Sequence, residues 1–346
     1  MNLQEYIAYV IILVYDVVAV YRGALRGCRV CKLWVNKRKQ ENQMQREFYD
    51  RLLDILDKEH VLLDEPMKKH TTFRIGGPAD YFVMPERVEE VQAVVALCRE
   101  NQIPYYVLGN GSNLLVSDDG FRGVIIQFYK NRNAVQVEGE TIRAQTGALL
   151  SQIAAEALKH ELTGFEFAAG IPGTLGGAVV MNAGAYGGEM KDVLLEVTAL
   201  TQEGEVKVLK KEELDLGYRT SVIGKKGYIA LEAVIGLKKG DAGVIRSTMD
   251  DLKERRTTKQ PLEYPSAGST FKRPEGYFAG KLIQDTGLQG FTVGGAQVSE
   301  KHCGFVINAG NATAKDVAEL MREVSDRVEA KFGVPLEPEV KKLGDF

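Results

Sequence analysis

From Thr72 onward, the apolar residues recur in two different periods, and this predicts helices that alternate with short strands. Apolar positions three and four residues apart predict helices at Val88 to Glu100, Leu149 to Lys159, Val244 to Thr258 and Ala314 to Phe332. Shorter apolar runs predict strands at Ala79 to Met84, Tyr105 to Leu108, Val124 to Gln127, Thr141 to Ala144, Leu194 to Leu200, Glu205 to Leu209 and Tyr228 to Leu237. This mixture predicts an α+β fold.

The order of these elements predicts two domains. The last predicted strand runs into Lys238-Lys239-Gly240, which places a boundary between a larger domain, residues 44–240, and a smaller one, residues 241–346. The smaller domain contains a segment rich in Gly, Pro and Ser from Pro261 to Gly280, and Gly333 and Pro335 close its long helix.

The first 43 residues differ from the rest. Tyr6 to Tyr21 is apolar apart from Asp16, and a basic run from Arg22 to Lys39 follows. A membrane-spanning helix needs about 20 apolar residues and tolerates a central carboxylate poorly. This apolar run is too short for such a helix and is interrupted by Asp16. A secretory signal has its positive charge before the apolar part, which is the reverse order. We favour a third interpretation, an atypical extension before a natural start at Met44, and we expect a cytoplasmic protein in each case.

Composition narrows the function. The 346 residues are 45% hydrophobic and 26% charged with a net charge of −3, which excludes a disordered chain and gives no reason to expect a nucleic-acid partner. The four cysteines do not form a disulfide framework, and the Cys28/Cys31 pair lacks a second pair or a nearby His that would complete a zinc site. The four histidines are scattered. We therefore predict no metal site and expect an organic cofactor.

Two glycine-rich segments are the candidates for holding that cofactor. The first is Gly109-Asn110-Gly111-Ser112-Asn113-Leu114, and the second runs from Gly164 to Gly188 and includes Gly170-Ile171-Pro172-Gly173 and Gly176-Gly177. Glycine lets the backbone approach a ligand closely, and the polar residues add hydrogen-bond donors for phosphate oxygens. Neither segment has the spacing of a Rossmann or P-loop motif. Tight turns and close packing are the alternative explanation for either segment alone, whereas the two together favour a pyrophosphate site.

Three later positions are candidates for chemistry. Arg219 follows Gly217-Tyr218 in a polar turn and could bind a carboxylate with two hydrogen bonds. Ser269 lies among small and basic residues without the surroundings of a hydrolase nucleophile, and Glu339 lies in a stretch that suits a final extended strand. From composition alone, a structural role for each is the more common outcome.

Six motifs in this order resemble the UDP-N-acetylenolpyruvoylglucosamine reductase family, flavoenzymes of peptidoglycan precursor synthesis. They are Thr71-Thr72-Phe73-Arg74-Ile75-Gly76-Gly77-Pro78-Ala79, Gly109 to Asn113, Gly170-Ile171-Pro172-Gly173-Thr174-Leu175-Gly176-Gly177-Ala178, Gly217-Tyr218-Arg219, Ala267-Gly268-Ser269-Thr270-Phe271-Lys272 and Glu337-Pro338-Glu339-Val340. The resemblance covers nearly everything after Met44, and no aromatic-rich insertion lies between Gly240 and Pro261. This is similar to the shorter, second type of the family.

The resemblance implies both a fold and a set of roles. It implies a two-part FAD-binding domain of the vanillyl-alcohol-oxidase-like (PCMH) type, followed by a smaller α+β substrate-binding domain. FAD would be bound non-covalently and reduced by NADPH, and would then reduce the enolpyruvyl group of the sugar nucleotide. Ser269 resembles the proton donor of the family. Arg219 and Glu339 resemble the pair that stabilises the enolate-like intermediate. The cofactor contacts would be residues 109–114, Gly170 to Gly173, Gly176, Gly177 and Arg219, and the substrate contacts Tyr218, Lys259 and Lys272.

Two other functions remain open at this stage. An oxidase of the same flavin fold would use oxygen as the acceptor and would not need NADPH. A membrane-tethered flavin-binding protein without catalysis is the second alternative, suggested by the apolar segment before Arg22. We expect no stable membrane partner, and neither the preference for NADPH over NADH nor the oligomeric state follows from the sequence.

Overall fold

The structure is a computed structural model that describes residues 43–346. The predictions for the apolar segment, the basic run and the Cys28/Cys31 pair therefore lie outside the described residues. The described residues fall into two compact units, one that ends at Asp57 and one that spans Lys58–Phe346. In the first unit, helix α1 spans 43–55, and Phe48 and Leu52 are buried on one of its faces.

The second unit is a mixture of helices and strands, as predicted. Its helices are α2 (Val88–Glu100), α3 (Leu150–Lys159), α4 (Leu175–Val180), α5 (Met190–Val193), α6 (Val222–Lys225), α7 (Ala242–Lys259), α8 (Ala279–Asp285) and α9 (Ala314–Phe332). Its strands are β1 (Val61–Pro66), β2 (Pro78–Val83), β3 (Tyr105–Leu108), β4 (Leu114–Val116), β5 (Phe121–Gln127), β6 (Val135–Glu138), β7 (Thr141–Gln145), β8 (Leu162–Thr163), β9 (Gly184–Ala185), β10 (Gly188–Glu189), β11 (Leu194–Leu200), β12 (Val206–Lys210), β13 (Ile229–Gly236), β14 (Lys238–Lys239), β15 (Ser266–Ser269), β16 (Thr292–Val293), β17 (Ala296–Val298), β18 (Phe305–Asn308) and β19 (Lys341–Leu343).

The first sheet has the strand order β1-β2-β5-β3. Strand β1 runs antiparallel to β2, whereas β2, β5 and β3 are parallel. Parallel neighbours need a crossover, and α2 supplies it between β2 and β3. Phe82, Val116 and Ile125 are fully buried in the core of this sheet.

The second sheet is antiparallel, with the order β12-β11-β13-β7-β6. Helices α3 and α4 pack on it, and Ile142, Leu150 and Val197 belong to their shared core. Helix α7, which follows the predicted domain boundary at 240, contacts α3 and the 3-10 turn Glu166–Ala168. That boundary stays a prediction.

The third sheet, of order β15-β18-β17-β16, carries α9 on one face. Val306, Leu320 and Val324 are buried in its core. After α9 the chain returns to the first half of the unit, where β19 pairs in parallel with β4 from Lys341 opposite Leu114 onward. The end of the chain thus lies beside the loop that precedes β4.

Most of the long predicted elements are confirmed. The bounds of α2, α9, β3 and β11 agree with the predictions at both ends. The stretch around Glu339 that suits a final extended strand forms an isolated antiparallel bridge between Pro338 and Phe271, and the final strand itself begins at Lys341. No element was predicted for Pro261 to Gly280, yet β15 and the start of α8 lie there. Their short length and glycine content hide the periodicity.

The described residues contain neither a membrane-spanning helix nor a cluster of metal ligands. Within residues 43–346, no helix is long and apolar enough to cross a membrane. In the same part of the chain, no group of three or more His, Cys, Asp and Glu side chains is arranged to hold a metal ion, and Cys98 and Cys303 are buried free thiols.

Candidate active site

The two glycine-rich segments line one cleft, which opens to solvent. All six residues from Gly109 to Leu114 contribute to its wall, together with Ile171, Gly173, Gly176 and Gly177. The Asn110 side-chain amide donates to the Pro172 carbonyl oxygen at 2.8 Å and so joins the two segments. The remaining wall is mainly apolar and includes Phe128, Leu150 and Ile229. Polar loops over an apolar wall are typical of a cofactor site.

The glycines of this cleft have two different roles. A Cβ at Gly109 would lie 2.2 Å from the Thr174 hydroxyl oxygen, and one at Gly111, where φ is +62°, would lie 2.1 Å from the His70 carbonyl oxygen. Gly109 therefore lets the two glycine-rich segments approach each other, and Gly111 lets the first segment approach the backbone at His70. At Gly177 the nearest atom to a Cβ would be 3.9 Å away, so this glycine leaves space open. The cradle fits a dinucleotide whose phosphates need close backbone contact.

The later glycines of the second segment do not belong to this cradle. A Cβ at Gly188 would lie 2.7 Å from the Phe167 ring, and one at Gly184 would lie 2.7 Å from the Gly188 carbonyl oxygen. Close packing, the alternative considered for the sequence, therefore explains Gly184 and Gly188. Of the predicted contacts, Gly170 and Pro172 do not line the cleft, and Gly170 lies against the Arg256 side chain.

We expect Gly177→Leu to abolish FAD binding without unfolding the protein. The new side chain meets no close neighbour and occupies space that the cofactor needs. Titration followed by flavin fluorescence should show an affinity loss of about 100-fold or more, since excluding a bound group costs several kcal/mol. Gly310→Leu is the matched control, because a Cβ there also meets nothing within 4 Å and Gly310 does not line the cleft. Equal FAD affinity in both variants would contradict this placement of the cofactor.

A second cleft contains the predicted catalytic residues. Tyr218, Arg219, Ser269 and Glu339 all line its wall. Tyr218 and Arg219 form the tip of a tight turn in which the backbones of Gly217 and Thr220 exchange hydrogen bonds of 3.1 and 3.3 Å. Arg219 has a φ of +56°, a conformation that costs energy in a non-glycine residue and is common at functional sites.

Arg219 and Glu339 form a buried ion pair. Nε of Arg219 lies 2.7 Å from Oε1 of Glu339, and only 9% of the Glu339 side chain is exposed. The Nε–H is buried and has no well-aligned hydrogen-bond acceptor, so the contact is chiefly electrostatic. Burial raises the pKa of Glu339 above its ordinary value of 4.5, and the nearby Arg219 charge lowers it only in part. Glu339 is therefore a carboxyl group that is easily protonated beside a permanent cation.

Ser269 and Glu339 are held next to each other by the backbone of Thr270. The Glu339 N–H donates to the Thr270 carbonyl oxygen at 2.8 Å, and the Thr270 N–H donates to the Gly304 carbonyl oxygen at 2.9 Å. Pairing of β15 with β18 is irregular between Ser266 and Ser269, and Gly268 has a φ of +75°. This irregularity turns the exposed Ser269 toward the cleft while its neighbour Thr270 stays buried.

The two remaining predicted substrate residues lie elsewhere. Lys272 forms an ion pair with Glu337, and Lys259 is the exposed last residue of α7. Neither lines the second cleft. The basic and amide side chains that do line it, and that sequence reasoning missed, are Arg273, Lys281, Gln284, Gln289, Lys301 and His302. The basic pair Lys272-Arg273 beside Ser269 could have indicated Arg273 from the sequence. No sequence pattern indicated the residues of α8 or of the turn before β18.

His302 is neutral in this cleft. Burial lowers its pKa, and its Nδ1 accepts a hydrogen bond from the Gly304 N–H at 3.1 Å. The proton of the neutral ring is therefore on Nε2. At the mouth of the cleft, the Arg273 guanidinium lies 3.9 Å from the centre of the Phe278 ring, and the Arg273 N–H donates to the Tyr218 hydroxyl at 2.9 Å.

Two family profiles match this chain. The profile described as an FAD binding domain matches residues 79–210, which include the first glycine-rich segment and most of the second sheet. The profile of the UDP-N-acetylenolpyruvoylglucosamine reductase C-terminal domain matches residues 260–343, which include Ser269 and Glu339. The two matches thus cover both glycine-rich segments, Ser269 and Glu339, whereas Tyr218 and Arg219 lie between the matched ranges.

Whole-length relatives agree with these profiles. UDP-N-acetylenolpyruvoylglucosamine reductase of Clostridioides difficile (strain 630) is 56% identical over 299 residues, which are 86% of this chain and 98% of the relative. The enzyme of the same name from Alkaliphilus oremlandii is 55% identical over 297 residues, with the same two coverages. The crystal structure of the reductase from Thermus caldophilus superposes with a TM-score of 0.71 at 37% identity, and covers 82% of this chain and 98% of its own.

Proposed function

The chain belongs to the UDP-N-acetylenolpyruvoylglucosamine reductase family, and we propose that Arg219, Ser269 and Glu339 assist the flavin-dependent reduction of the enolpyruvyl group in the second cleft. The family membership that the six motifs implied is confirmed, and so is the α+β fold with an FAD-binding part and a smaller following domain. This family provides an FAD-dependent reductase step in peptidoglycan precursor synthesis, with NADPH as the reductant. The roles of individual residues are our proposal.

The net reaction adds a hydride and a proton across the carbon–carbon double bond of the enolpyruvyl ether. The residues of the first cleft would hold FAD, which would supply hydride chemistry with NADPH as the reductant. The residues of the chain must then hold the sugar nucleotide, spread the negative charge that develops on the substrate, and deliver one proton. The product is UDP-N-acetylmuramate.

Ser269 is the proposed proton donor. Its hydroxyl is exposed on the cleft wall, and the Thr270 backbone holds it beside Glu339. Serine is a weak acid, but the carbon next to the substrate carboxylate becomes strongly basic as the hydride adds, so a short transfer is favourable. The O–H bond of Ser269 breaks, a C–H bond forms at that carbon, and solvent water reprotonates the serine oxygen.

Arg219 and Glu339 are proposed to stabilise the enolate-like intermediate. The cation of Arg219, which lines the cleft, compensates the charge that spreads onto the substrate carboxylate. A carboxylate at Glu339 would oppose that charge, whereas a protonated Glu339 can donate a hydrogen bond to it. The raised pKa of Glu339 supports the protonated form. The observation that carries this proposal is the assembly of Arg219, Ser269 and Glu339 in one cleft.

Substrate recognition follows from the same wall. Tyr218 lines it and is proposed to contact the substrate, and Arg273, Lys281 and Lys301 add positive charge that suits a diphosphate. The predicted roles of Lys259 and Lys272 stay predictions. So does a cytoplasmic location, where both UDP-sugar and NADPH are available.

We expect the rate of the substrate half-reaction to fall at high pH because Glu339 must be protonated. The rate should drop as pH rises through the raised pKa of Glu339, and Glu339→Gln should remove this drop, since a neutral amide can donate at any pH. Stopped-flow reoxidation of the reduced enzyme across pH measures this. A drop that persists unchanged in Glu339→Gln would assign it to another group.

A further inference from the structure

Asn113 belongs to the loop of the first cleft, but its side chain contacts the segment that carries Glu339. The Asn113 amide nitrogen donates to the carbonyl oxygen of Glu339 at 3.2 Å, across 226 residues of sequence. The carbonyl oxygen of Asn113 accepts from the Lys341 N–H at 3.0 Å. The β4–β19 pairing begins immediately afterwards, with Lys341 opposite Leu114. One residue thus binds the chain on both sides of Val340.

The peptide groups of Glu339 are held from two directions. Its N–H donates to Thr270 next to the proposed proton donor, and its carbonyl oxygen accepts from Asn113 next to the proposed cofactor. Lys341 lines the first cleft and Glu339 lines the second. The segment from Glu339 to Lys341 is therefore a wall that both clefts share, and Asn113 is the side chain that ties it to the glycine-rich loop.

We propose that Asn113 is a positioning residue, which transmits the order of the FAD-binding loop to Glu339 and so fixes the depth of the Glu339 carboxyl group in the substrate cleft. A loop that binds phosphates is ordered by its ligand, and the hydrogen bonds to Glu339 and Lys341 extend that order to the end of the chain. This inference rests on the proposed catalytic role of Glu339. Asn113 would then have a second role besides the cofactor contact that was predicted for it from the sequence.

Loss of the Asn113 hydrogen bonds should also change the protonation of Glu339. The charged groups that face Glu339 are Arg219, Lys272 and Lys341, all of which favour its ionised form, and burial is what raises its pKa. The neutral His302 lines the same cleft. If the Glu339 segment loosens, water enters and the effect of burial weakens. The pKa of Glu339 then falls toward its ordinary value, and the protonated form disappears at a lower pH.

The test compares Asn113→Ala with Asn110→Ala in the FAD-saturated enzyme. Asn110 is a matched control, because it lies in the same loop and also donates to a backbone carbonyl oxygen, but that of Pro172. In hydrogen–deuterium exchange, we expect the amides of residues 339–341 to exchange about tenfold faster in Asn113→Ala, the order expected for one lost hydrogen bond. In Asn110→Ala they should exchange at the wild-type rate, although FAD affinity falls.

The same variants should differ in the pH dependence of the substrate half-reaction. In Asn113→Ala, the fall of the substrate half-reaction rate with pH should move to lower pH, whereas in Asn110→Ala it should stay at the pH found for the unaltered enzyme. Asn113→Ser, whose hydroxyl is too short to reach Glu339, should behave in the same way if Asn113→Ala does not fold. Unchanged exchange at residues 339–341 in both Asn113 variants would overturn the inference. A wild-type rate in Glu339→Gln at every pH would instead overturn the proposed function.

Discussion

Ser269→Ala is expected to leave FAD reduction by NADPH intact and to slow reduction of the enolpyruvyl sugar nucleotide by roughly 10²–10⁴-fold, the range for loss of a general acid. The methyl group of alanine fills nearly the same space, and the neighbouring Thr270 keeps its hydrogen bonds to Gly304 and Val306. The cleft should therefore keep its shape and lose only its proton donor.

Single-turnover stopped-flow absorbance at saturating substrate measures both halves of this prediction. Ser266→Ala is the matched control, because Ser266 lies in the same strand but does not line the cleft. Losses of equal size in both half-reactions would count against Ser269 as the proton donor. Such a result would point to a distorted flavin site.

Arg219→Ala is the second variant for which we expect a large effect. Removing a preorganised cation from a site where negative charge develops costs about 10²–10³-fold in rate. The loss should fall mainly on the substrate half-reaction. Because Arg219 also lowers the pKa of the buried Glu339, its removal raises that pKa further. The high-pH fall of the remaining activity should therefore move to higher pH, opposite to the shift expected for Asn113→Ala.

Arg219→Lys distinguishes charge from geometry. Lysine keeps the positive charge but lacks the planar pair of donors, so we expect the pH profile to recover and the rate to recover only in part. A rate loss in Arg219→Ala that appears equally in FAD reduction by NADPH would contradict this assignment, and would mean that Arg219 acts chiefly on the cofactor.

The sequence predicted the local elements of this protein better than its long-range contacts. Helix α9 has a clear apolar period, a Thr313 cap whose side chain accepts from the Asp316 N–H, and a left-handed Gly333 at its end, so its bounds follow from local chemistry. The six motifs identified the family because each combines unusual residue types at fixed spacing. The pairing of Asn113 with Glu339 left no local signal, since it depends on the return of β19 to β4.

In the site too, some residues were predicted from the sequence, whereas others are placed only by the packing of the chain. Arg219, Ser269 and Glu339 were singled out by residue type and resemblance, and the fold brings them into one cleft. The other basic side chains of that cleft were not singled out. Lys281 lies on a seven-residue helix that begins at the end of the Gly-, Pro- and Ser-rich segment, and Lys301 lies in a turn. Which lysine faces a cleft is decided by packing rather than by spacing. Lys272, which pairs with Glu337, illustrates the difficulty.

The most direct test of the proposed mechanism follows flavin absorbance without oxygen in Arg219→Ala, Ser269→Ala and Glu339→Gln beside the unaltered chain. NADPH should bleach all four proteins at similar rates. On addition of UDP-N-acetylenolpyruvoylglucosamine at a pH below the fall in rate attributed to Glu339, the colour should return within one turnover in the unaltered chain, and much more slowly in Arg219→Ala and Ser269→Ala. Recovery at the same rate in all four proteins, or recovery only when oxygen is admitted, would contradict the assignment of substrate reduction to this cluster.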